Sequence, residues 1–307
     1  MESADLAVLV VSSANDQHAD VVERELRGMG VNSFRTSLAE WSRHTITWSS
    51  DGTLVIAGND DAWRVGAHTI VWWRRPGWFE NPSLDAEELD LARDESAVMF
   101  PGSLEAAGVA WVDQPWVMER GSNRLIQLKL ATDLGGNPPQ SLVTNSPDAA
   151  AKFLESGPTV AKTISTGTGL APYVDYVERA SLQLVASAPV LLQRALAAEA
   201  DWRIVIVGST CLGWRRERQS DKHLDWRACD PSGESFVFSP FMGEASQIAS
   251  AIQEGLGLTF SVQDWLEVDG QFRFLEVNPQ GQWLFLTGAE STVGPAMAAH
   301  LGLSDSP

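Results

Sequence analysis

A two-residue turn between two apolar runs is the feature that most constrains how this chain folds. Residues 260–267 and 272–278 are rich in apolar and aromatic side chains, and Asp269-Gly270 stands between them. An Asp-Gly pair between such runs is a strong signal for a two-residue hairpin loop. We therefore predict two antiparallel strands that pair directly through this turn.

The predicted hairpin brings three oxygen-bearing side chains together. Folding the chain at the turn sets Asp264 roughly opposite Glu276. Side chains alternate between the two faces of a strand, so Glu276 and Asn278 share a face. Two carboxylates and an amide oxygen suit Mg²⁺, which keeps several waters and holds substrate phosphates. The pattern favours a magnesium site and nucleotide chemistry, and the alternative is a surface hairpin that carries ordinary polar residues.

Length, charge and cysteine content limit the classes of protein that fit. A chain of 307 residues is too long for one core of ordinary size and fits two or three lobes. The formal net charge of -18 argues against binding to nucleic-acid backbones. The two cysteines, Cys211 and Cys229, have neither metal-ligand nor redox spacing, so we predict free thiols in a reducing compartment.

The sequence has no pattern typical of export or of a membrane span. Its N-terminus lacks a basic leader region, and residues 6–11 form too short an apolar run for a signal peptide. No later apolar run approaches the ~20 residues that cross a bilayer. We predict a cytoplasmic protein that binds neither membrane nor nucleic acid.

The first part of the chain has an α/β pattern. Residues 6–11 are typical of a buried strand, and residues 16–29 of an amphipathic helix that Asn15 could cap. Residues 83–108 are helical in character, and Pro101-Gly102 predicts a break in that helix. No glycine-rich fingerprint follows the first strand, which argues against a dinucleotide-binding fold of the usual type.

The rest of the chain predicts two lobes of mixed α+β character. We place an N-terminal α/β lobe at residues 1–115, a central α+β lobe at 116–188 and a C-terminal α+β lobe at 189–307. The C-terminal lobe contains a mainly antiparallel sheet, to which we assign residues 224–229 as a strand. A helix is predicted at residues 244–256.

Two lysines lie where a buried ammonium group would need a partner anion. Lys129 lies among leucines on a predicted helix, and Lys162 lies in a short apolar strand before a loop that contains Gly167 and Gly169. An unpaired buried ammonium is costly, and a triphosphate would supply the opposite charge. Such a loop can approach phosphates closely with its backbone N–H groups. Alternatively, Lys162 lies on an edge strand with its head group in water, and the loop is only a connection.

A second polar group lies on the next two predicted strands. The strand end at Gln193, Arg194 and Ala195 could pair its backbone with an adenine edge. Alternation puts Asp201 and Arg203 on one side of the following strand. Asp201 could accept ribose hydroxyls, and Arg203 could fork onto a terminal phosphate. The alternative is a surface ion pair between Asp201 and Arg203, which would contribute little stability.

Together these features resemble the ATP-grasp superfamily, in which two α+β lobes clamp ATP and a third lobe precedes them. The resemblance covers nearly the whole chain. Within the superfamily the chain is most similar to ribosomal-peptide maturases of the microviridin or graspetide type, which make macrocyclic esters and amides. Four stretches carry this narrower similarity: residues 71–76 (VWWRRP), Asn123-Arg124 with Lys129 and residues 142–145 (LVTN), residues 225–227 (DWR), and residues 276–283 (EVNPQGQW).

The resemblance implies a role for each of these residues. It implies that ATP is bound by two lysines and the adenine hinge, and that the hairpin holds Mg²⁺. The implied ATP residues are Lys129, Lys162, Gly167, Gly169, Gln193, Arg194, Ala195 and the ribose ligand Asp201, and the implied metal ligands are Asp264, Glu276 and Asn278. Around the hinge the chain has Ala197-Ala198-Glu199, where the family often has an aromatic residue or a second carboxylate.

The activity that the resemblance implies is ATP-dependent ligation. Such ligases phosphorylate a carboxylate with the γ-phosphate of ATP, and a nucleophile then attacks the acyl phosphate, which leaves ADP and phosphate. The implied substrate is a ribosomal precursor peptide, with a leader and an acidic core, whose Asp or Glu side chains are joined to Ser or Thr hydroxyls or to Lys amines. The resemblance also implies a homodimer.

Arginines are candidates for binding the reacting groups and the peptide. Arg203 would offset phosphate charge, whereas Arg215, Arg216 and Arg227 could hold the carboxylate before activation. Arginines on a solvated hairpin would have the same sequence pattern. The hairpin tip with Arg218, Lys222 and His223 could accept the leader by strand addition or by charge.

Two other functions remain open from the sequence. One is an amino-acid or glutamate ligase of the RimK kind, which shares the metal and lysine positions. The other is a nucleotide-binding protein that has lost turnover and regulates a partner. Retention of both lysines together with Asp264, Glu276 and Asn278 argues against a relic.

Overall fold

A computed structural model of the chain describes residues 4–5, 7–39, 44–58, 61–164, 174–218 and 224–302. The chain forms two compact units. Unit 1 comprises Met1–Trp116 and Glu290–Pro307, and unit 2 comprises Val117–Ala289. The three-lobe boundaries at residues 115 and 188 stay a prediction.

Unit 1 begins with a series of strands and two long helices. They are β1 (Ala4–Asp5), β2 (Val8–Ser12), α1 (Gln17–Gly28), β3 (Ser33–Thr36), β4 (Thr45–Trp48), β5 (Leu54–Ala57), β6 (Ala62–Val65), β7 (Ile70–Arg75), α2 (Ala86–Ala106) and β8 (Ala110–Val112).

Helix α3 (Pro115–Gly121) starts at the end of unit 1 and continues into unit 2. The elements of unit 2 that follow are α4 (Arg124–Asp133), β9 (Ser141–Thr144), α5 (Pro147–Leu154), β10 (Thr159–Lys162), β11 (Asp175–Tyr176), a 3₁₀ helix (Arg179–Ala186), β12 (Val190–Arg194), β13 (Ala200–Val207), β14 (Thr210–Glu217), α6 (Trp226–Cys229), β15 (Val237–Phe238), α7 (Glu244–Leu256), β16 (Phe260–Val268) and β17 (Gln271–Asn278). The last helix, α8 (Val293–Gly302), belongs to unit 1 and contacts α1.

The core of unit 1 is a parallel sheet with the strand order β3-β2-β7-β8. Every residue of β2 is buried, as expected for a parallel strand covered on both faces. Helix α1 buries an apolar stripe that includes Ala19, Val22 and Leu26. Its N-cap is Asp16 rather than the Asn15 expected from the sequence, because the Asp16 carboxylate accepts the His18 backbone N–H at 3.0 Å.

Helix α2 continues through Pro101-Gly102, so the predicted break is wrong. Proline removes one backbone N–H and leaves the carbonyl four residues earlier without its helical partner. That residue, Ala97, is exposed, so its carbonyl can be solvated instead. The helix starts with a capping box between Asp85 and Glu88.

The smaller sheet of unit 2 has the order β11-β10-β12-β9, and all its pairs are antiparallel. Helix α5 covers this sheet. Ala150 of α5 packs with Leu192 of β12 and with Leu182 and Val185 of the 3₁₀ helix. Strand β10, which carries Lys162, therefore lies inside a packed sheet and not at its edge.

The larger sheet of unit 2 has the order β15-β14-β13-β16-β17 and is fully antiparallel. Its central strand β13 is buried along its whole length. Helix α7 packs on one face, where Gln263 Nε2 donates to the Ala249 carbonyl at 2.8 Å. The strand predicted at residues 224–229 is wrong, because Asp225 caps a short helix, α6, by accepting the Arg227 backbone N–H.

A membrane crossing requires a long helix with few charges. No helix in the described ranges combines the length and the hydropathy that such a crossing needs.

Candidate functional site

The predicted hairpin is present, and its turn is the Asp-Gly pair. Val268 pairs with Gln271, and the two residues between them have positive φ angles of 49° at Asp269 and 68° at Gly270. Positive φ at both positions is the requirement of a type I′ turn. Asp264 is the direct cross-strand partner of Glu276, as predicted.

A β-bulge lies immediately beside the facing carboxylates. Asp264 pairs with Glu276, but Trp265 pairs with Phe274, which leaves Leu275 as the extra residue of β17. Bulges bend the strand and redirect side chains, and they are frequent next to functional sites. This one separates the carboxylate end of the hairpin from its turn.

A third charged residue extends the row across the sheet. Arg203 on β13 is the direct partner of Asp264, so Arg203, Asp264 and Glu276 lie on the same face. Arg203 Nη1 donates to both oxygens of Asp264, at 2.7 and 2.9 Å. Its Nη2 donates to the Gln282 carbonyl at 2.8 Å. Arg203 thus ties the hairpin to the segment that follows it.

Glu276 also binds an arginine, Arg124, for which the sequence predicts no role in the site. Arg124, the first residue of α4, donates from Nη2 to Glu276 Oε2 at 2.5 Å and from Nη1 to the Thr163 carbonyl. Asn123 caps α4, and the sequence shows that cap. Nothing in the sequence shows that the first turn of α4 reaches β17.

Lys162 interacts electrostatically with the same carboxylates. Its side chain is half-buried at the end of β10, and Thr163, which binds Arg124, follows it directly. Burial lowers the pKa of Lys162, whereas the charge of Glu276 opposes that shift. Asp264 and Asp225 act on the Lys162 ammonium in the same direction as Glu276. Of the two lysines predicted to bind ATP, Lys162 therefore interacts with the carboxylates of the hairpin.

Lys129 lies elsewhere on α4. Its side chain is 74% exposed and forms an i,i+4 ion pair with Asp133. Arg124 and Gln127 contact β17, and Lys129 projects from the other side of the helix because each residue turns it by ~100°. Its role as a nucleotide ligand stays a prediction, and Arg124 is the cation of α4 that contacts the hairpin.

The two facing carboxylates differ in their proton affinity. Burial raises the pKa of Asp264, and the charge of Glu276 adds to that shift while Arg203 opposes it. Burial alone would also raise the pKa of Glu276, but Arg124, Lys162 and Arg203 outweigh it and hold that pKa below its ordinary value. Glu276 is therefore the carboxylate that stays ionised more readily.

The donor set fits Mg²⁺. Asp264 and Glu276 face each other across the hairpin, and Asn278, opposite Val262, lies on the Glu276 face. In the described part of the chain, no point gathers three or more His, Cys, Asp or Glu side chains. A metal here would have few protein ligands, all of them oxygen, which is the usual situation of Mg²⁺ beside substrate phosphates.

Asp201 is bound by two arginines, Arg216 of β14 and Arg218, which directly follows that strand. Arg216 Nη1 donates to Asp201 at 3.0 Å, and Arg218 donates to both of its oxygens at 2.9 and 2.5 Å. The alternative of an Asp201–Arg203 ion pair is thus wrong, because Arg203 pairs with Asp264. The ribose role of Asp201 stays a prediction.

Of the three arginines predicted to hold the reacting carboxylate, Arg216 binds Asp201, and the other two lie in different settings. Arg215 is opposite Trp202, on the face that Arg203 does not share, and binds Glu267 at 2.8 Å. Arg227 forks onto its neighbour Asp225 at 2.9 and 2.5 Å. The hydrogen bonds that Arg227 donates to Asp225 raise the pKa of Arg227, and the charges of Glu276 and Asp264 also contribute. Arg227 is therefore the member of this pair that interacts electrostatically with the facing carboxylates of the hairpin.

The predicted adenine hinge is engaged within the protein. Gln193 Nε2 donates to the Ser141 hydroxyl at 3.1 Å. The backbone N–H groups of Arg194 and Ala195 donate to the carbonyls of Gln140 and Pro158, at 2.9 and 3.0 Å. These two donors are therefore used inside the sheet, and the adenine role of the three residues stays a prediction.

Several predicted residues lie outside the described part of the chain. They are Gly167 and Gly169 of the loop after Lys162, and Lys222 and His223 of the proposed leader-binding hairpin tip.

The chain is similar in structure to proteins of known fold. No model of a protein family matches the chain, and no curated protein sequence does. Among solved structures, an ATP-grasp ligase from Chryseobacterium gregarium, associated with a ribosomal peptide product and bound to ADP and a leader and core peptide, has a TM-score of 0.87 at 19% identity. The match covers 96% of both chains. The chain has the ATP-grasp fold.

Two further solved structures agree with this ATP-grasp fold. The macrocyclase MdnC from Microcystis aeruginosa, bound to the precursor peptide MdnA, has a TM-score of 0.84 at 18% identity and covers 97% of this chain and 99% of its own. The ATP-grasp ligase PsnB, in complex with a minimal precursor, Mg and ADP, has a TM-score of 0.76 at 20% identity with coverages of 97% and 99%. The fold class predicted from the sequence is confirmed.

Proposed function

We propose that this chain is an ATP-dependent peptide macrocyclase. In this proposal it activates Asp or Glu side chains of a precursor peptide as acyl phosphates and joins them to Ser or Thr hydroxyls or to Lys amines. The proposal is supported by an ATP-grasp fold that the chain shares with ligases solved in complex with precursor peptides. The remaining support comes from the residues of the hairpin.

One observation carries the proposal. The facing carboxylates Asp264 and Glu276 are surrounded by cations from three different elements, namely Arg203 of β13, Arg124 of α4 and Lys162 of β10. A surface hairpin with ordinary polar residues would not concentrate partly buried charges of both signs, because burying a charge is costly without a partner. The arrangement is suited to a highly charged substrate such as a nucleotide triphosphate.

The chemistry requires charge neutralisation more than covalent help from the protein. When the γ-phosphate of ATP passes to a carboxylate, negative charge spreads over the phosphoryl oxygens. Lys162 and Arg203 lie where they can offset that charge, since both act electrostatically on Glu276. The acyl phosphate then loses phosphate when a hydroxyl or an amine of the peptide attacks its carbonyl carbon.

Mg²⁺ would be held by Asp264, Glu276 and Asn278. When bound, the metal would supply positive charge that offsets the charge of the phosphates during the transfer. The protein's contribution is to keep these three oxygen ligands on one face of the hairpin. Arg203 supports that geometry by holding both oxygens of Asp264.

The partner in this proposal is a ribosomally made peptide with a leader and an acidic core. Arg227, which interacts electrostatically with Glu276 and Asp264, is the best placed of the predicted carboxylate-holding arginines. Further parts of the proposal are ADP and phosphate as products, a homodimer and a cytoplasmic location. These rest on the family resemblance alone.

Mass spectrometry of a peptide substrate tests the function. A candidate precursor peptide with Thr, Ser, Asp and Glu repeats is incubated with the protein, ATP and Mg²⁺. Each ester or amide formed within the peptide removes one water, so we expect a ladder of such losses together with ADP. Glu276→Gln should abolish the ladder, because it removes one of the two carboxylate charges that would hold Mg²⁺.

The two competing functions give different results in this experiment. An amino-acid ligase would raise the peptide mass by whole residues when amino acids are supplied. A non-catalytic regulator would bind ATP, but no acidic peptide would trigger ADP release. Either result would replace the macrocyclase proposal.

A further inference from the structure

Arg124 occupies one side of the carboxylate that the proposed function assigns to the metal. Its Nη2 lies 2.5 Å from Glu276 Oε2, and its Nη1 binds the Thr163 carbonyl at the end of β10. The Arg124 side chain is only 13% exposed. It therefore links the hairpin to the strand that carries Lys162.

The position of Arg124 is built into the fold. Asn123 caps α4 by accepting the Leu125 backbone N–H at 3.0 Å. One turn after Arg124, the Gln127 amide bonds both backbone groups of Val277, at 2.8 and 2.9 Å. Helix α4 is thus fastened to β17 at the residue next to Glu276, so Arg124 is not a long side chain that meets a carboxylate by chance.

The two arginines on the facing carboxylates are anchored differently. Arg203 lies in the row of the sheet itself and binds Asp264 and the Gln282 carbonyl. Arg124 reaches Glu276 from a helix, and its second partner is the Thr163 carbonyl. If Arg124 leaves Glu276, it keeps an acceptor at Thr163. Arg203 also donates to both oxygens of Asp264, whereas Arg124 donates to one oxygen of Glu276, so displacing Arg124 breaks fewer hydrogen bonds to the carboxylate.

We infer that Arg124 is an internal counter-ion of Glu276 that a divalent metal ion displaces, so that this arginine sets the metal affinity of the hairpin. The inference rests on the proposed function, because it takes Glu276 to be a metal ligand. Arg124 neutralises the carboxylate and bonds one of its oxygens, and a metal must therefore compete with a charge-assisted hydrogen bond. Removing Arg124 should tighten metal binding, although it removes a contact from the fold.

Binding of Mn²⁺ to the protein without nucleotide tests this inference by electron paramagnetic resonance or calorimetry. We expect Arg124→Gln to bind Mn²⁺ roughly three- to tenfold more tightly than the wild type, since one opposing charge is lost. Arg124→Lys keeps the charge and should stay near the wild-type affinity. Arg179→Gln, which removes an arginine that is 69% exposed in the same unit, controls for net charge.

The outcomes separate this inference from the proposed function. Mn²⁺ binding that is lost in Glu276→Gln, but unchanged or weakened in a folded Arg124→Gln protein, overturns the counter-ion role and leaves the metal site in place. If Arg124→Gln does not fold, a Mn²⁺ affinity of Arg124→Lys that is well below the wild-type value overturns it. Wild-type protein that binds no Mn²⁺ at the hairpin, with or without ATP, overturns both the inference and the function.

Discussion

The side-chain amide of Gln127 pairs with both backbone groups of Val277. Gln127 Nε2 donates to the Val277 carbonyl at 2.8 Å, and the Val277 N–H donates to Gln127 Oε1 at 2.9 Å. Strand β17 is the last strand of its sheet, so the amide takes the place of a further strand along this edge. The residue it holds stands between Glu276 and Asn278, and Gln127 therefore fixes the backbone of two predicted metal ligands.

Replacing Gln127 by alanine should destabilise unit 2. Gln127 is wholly buried and also donates to the Gly121 carbonyl at 2.6 Å. The substitution leaves a cavity and unpaired backbone groups, so we expect the free energy of unfolding to fall by about 2–4 kcal/mol. Urea unfolding followed by circular dichroism measures the change. Gln247→Ala, at an exposed position of α7, is the control and should change little. Equal losses for both would show that the pairing with Val277 contributes nothing.

Gly281 lies where the segment after β17 passes close to Val262 of β16. A Cβ atom at this position would stand 2.3 Å from the Cβ of Val262, which is the cross-strand partner of Asn278. Gly281→Ala must push the segment away from the strand, and we expect a loss of about 1–3 kcal/mol in the free energy of unfolding. Because Asn278 lies beside the clash, Mn²⁺ binding should weaken as well.

Gly102→Ala is the matched control for Gly281. Gly102 lies in α2 with nothing within 4 Å of an added Cβ, so alanine there should be neutral or stabilising. Thermal unfolding of both variants gives the comparison. A Gly281→Ala protein as stable as Gly102→Ala would mean that the approach to Val262 is looser than the structure shows.

The hairpin could be predicted from the sequence because both of its determinants are local. The Asp269-Gly270 pair sets the turn, and alternation along β17 puts Glu276 and Asn278 on one face. The same reasoning put Asp201 and Arg203 on one side of β13. The alternation pattern did not show that Asp201 would bind an arginine of β14 and that Arg203 would bind Asp264 of β16. Which residue lies opposite another across the sheet depends on the strand register.

The parts of the site that the sequence did not predict depend on tertiary packing. The pattern of α4 predicts a helix, but its weak apolar periodicity does not tell which side meets β17. The resemblance implies a site role for Lys129 and none for Arg124, although both lie in the same helix. The four strands β1, β4, β5 and β6 were also not predicted, because short strands with mixed exposure have little periodicity.

Arg203 and Arg215 offer a comparison between the two faces of one sheet. Arg203 uses two nitrogens to join Asp264 to the Gln282 carbonyl, and a lysine cannot reproduce that fork. We expect Arg203→Lys to lower kcat/KM for peptide cyclisation by at least about tenfold. Arg215 lies opposite Trp202 on the other face of the sheet. Arg215→Lys should therefore lower kcat/KM by less than Arg203→Lys does.

The measurement is the initial rate of water loss from the peptide, with circular dichroism to confirm that both variants fold. Equal losses in the two proteins would support the predicted carboxylate-holding role of Arg215. In that case its contact with Glu267 would have to open when the peptide binds.

A buried ion pair in unit 1 gives the protein a defined response to acid. Arg74 is 1% exposed, and its Nε donates to the Asp16 carboxylate at 2.6 Å. Burial alone would raise the pKa of Asp16, but hydrogen bonds from His18 and Ser12 and the charge of Arg74 hold it far below its ordinary value. Because the folded pKa is depressed, the stability that ionised Asp16 contributes is complete above the unfolded pKa of about 3.9 and is lost as the pH falls toward the folded value.

Asp16→Asn isolates the charge, because asparagine is an equally good N-cap for α1. It leaves Arg74 buried without its counter-ion, so we expect the free energy of unfolding to fall by about 3–5 kcal/mol at neutral pH. The difference from the wild type should shrink as the pH is lowered below about 4, since acid then neutralises Asp16 in the wild type. Urea unfolding at a series of pH values measures it, with the exposed Asp94→Asn as control. A difference that stays constant down to the lowest pH at which the wild type folds would show that the loss comes from packing and not from the missing charge.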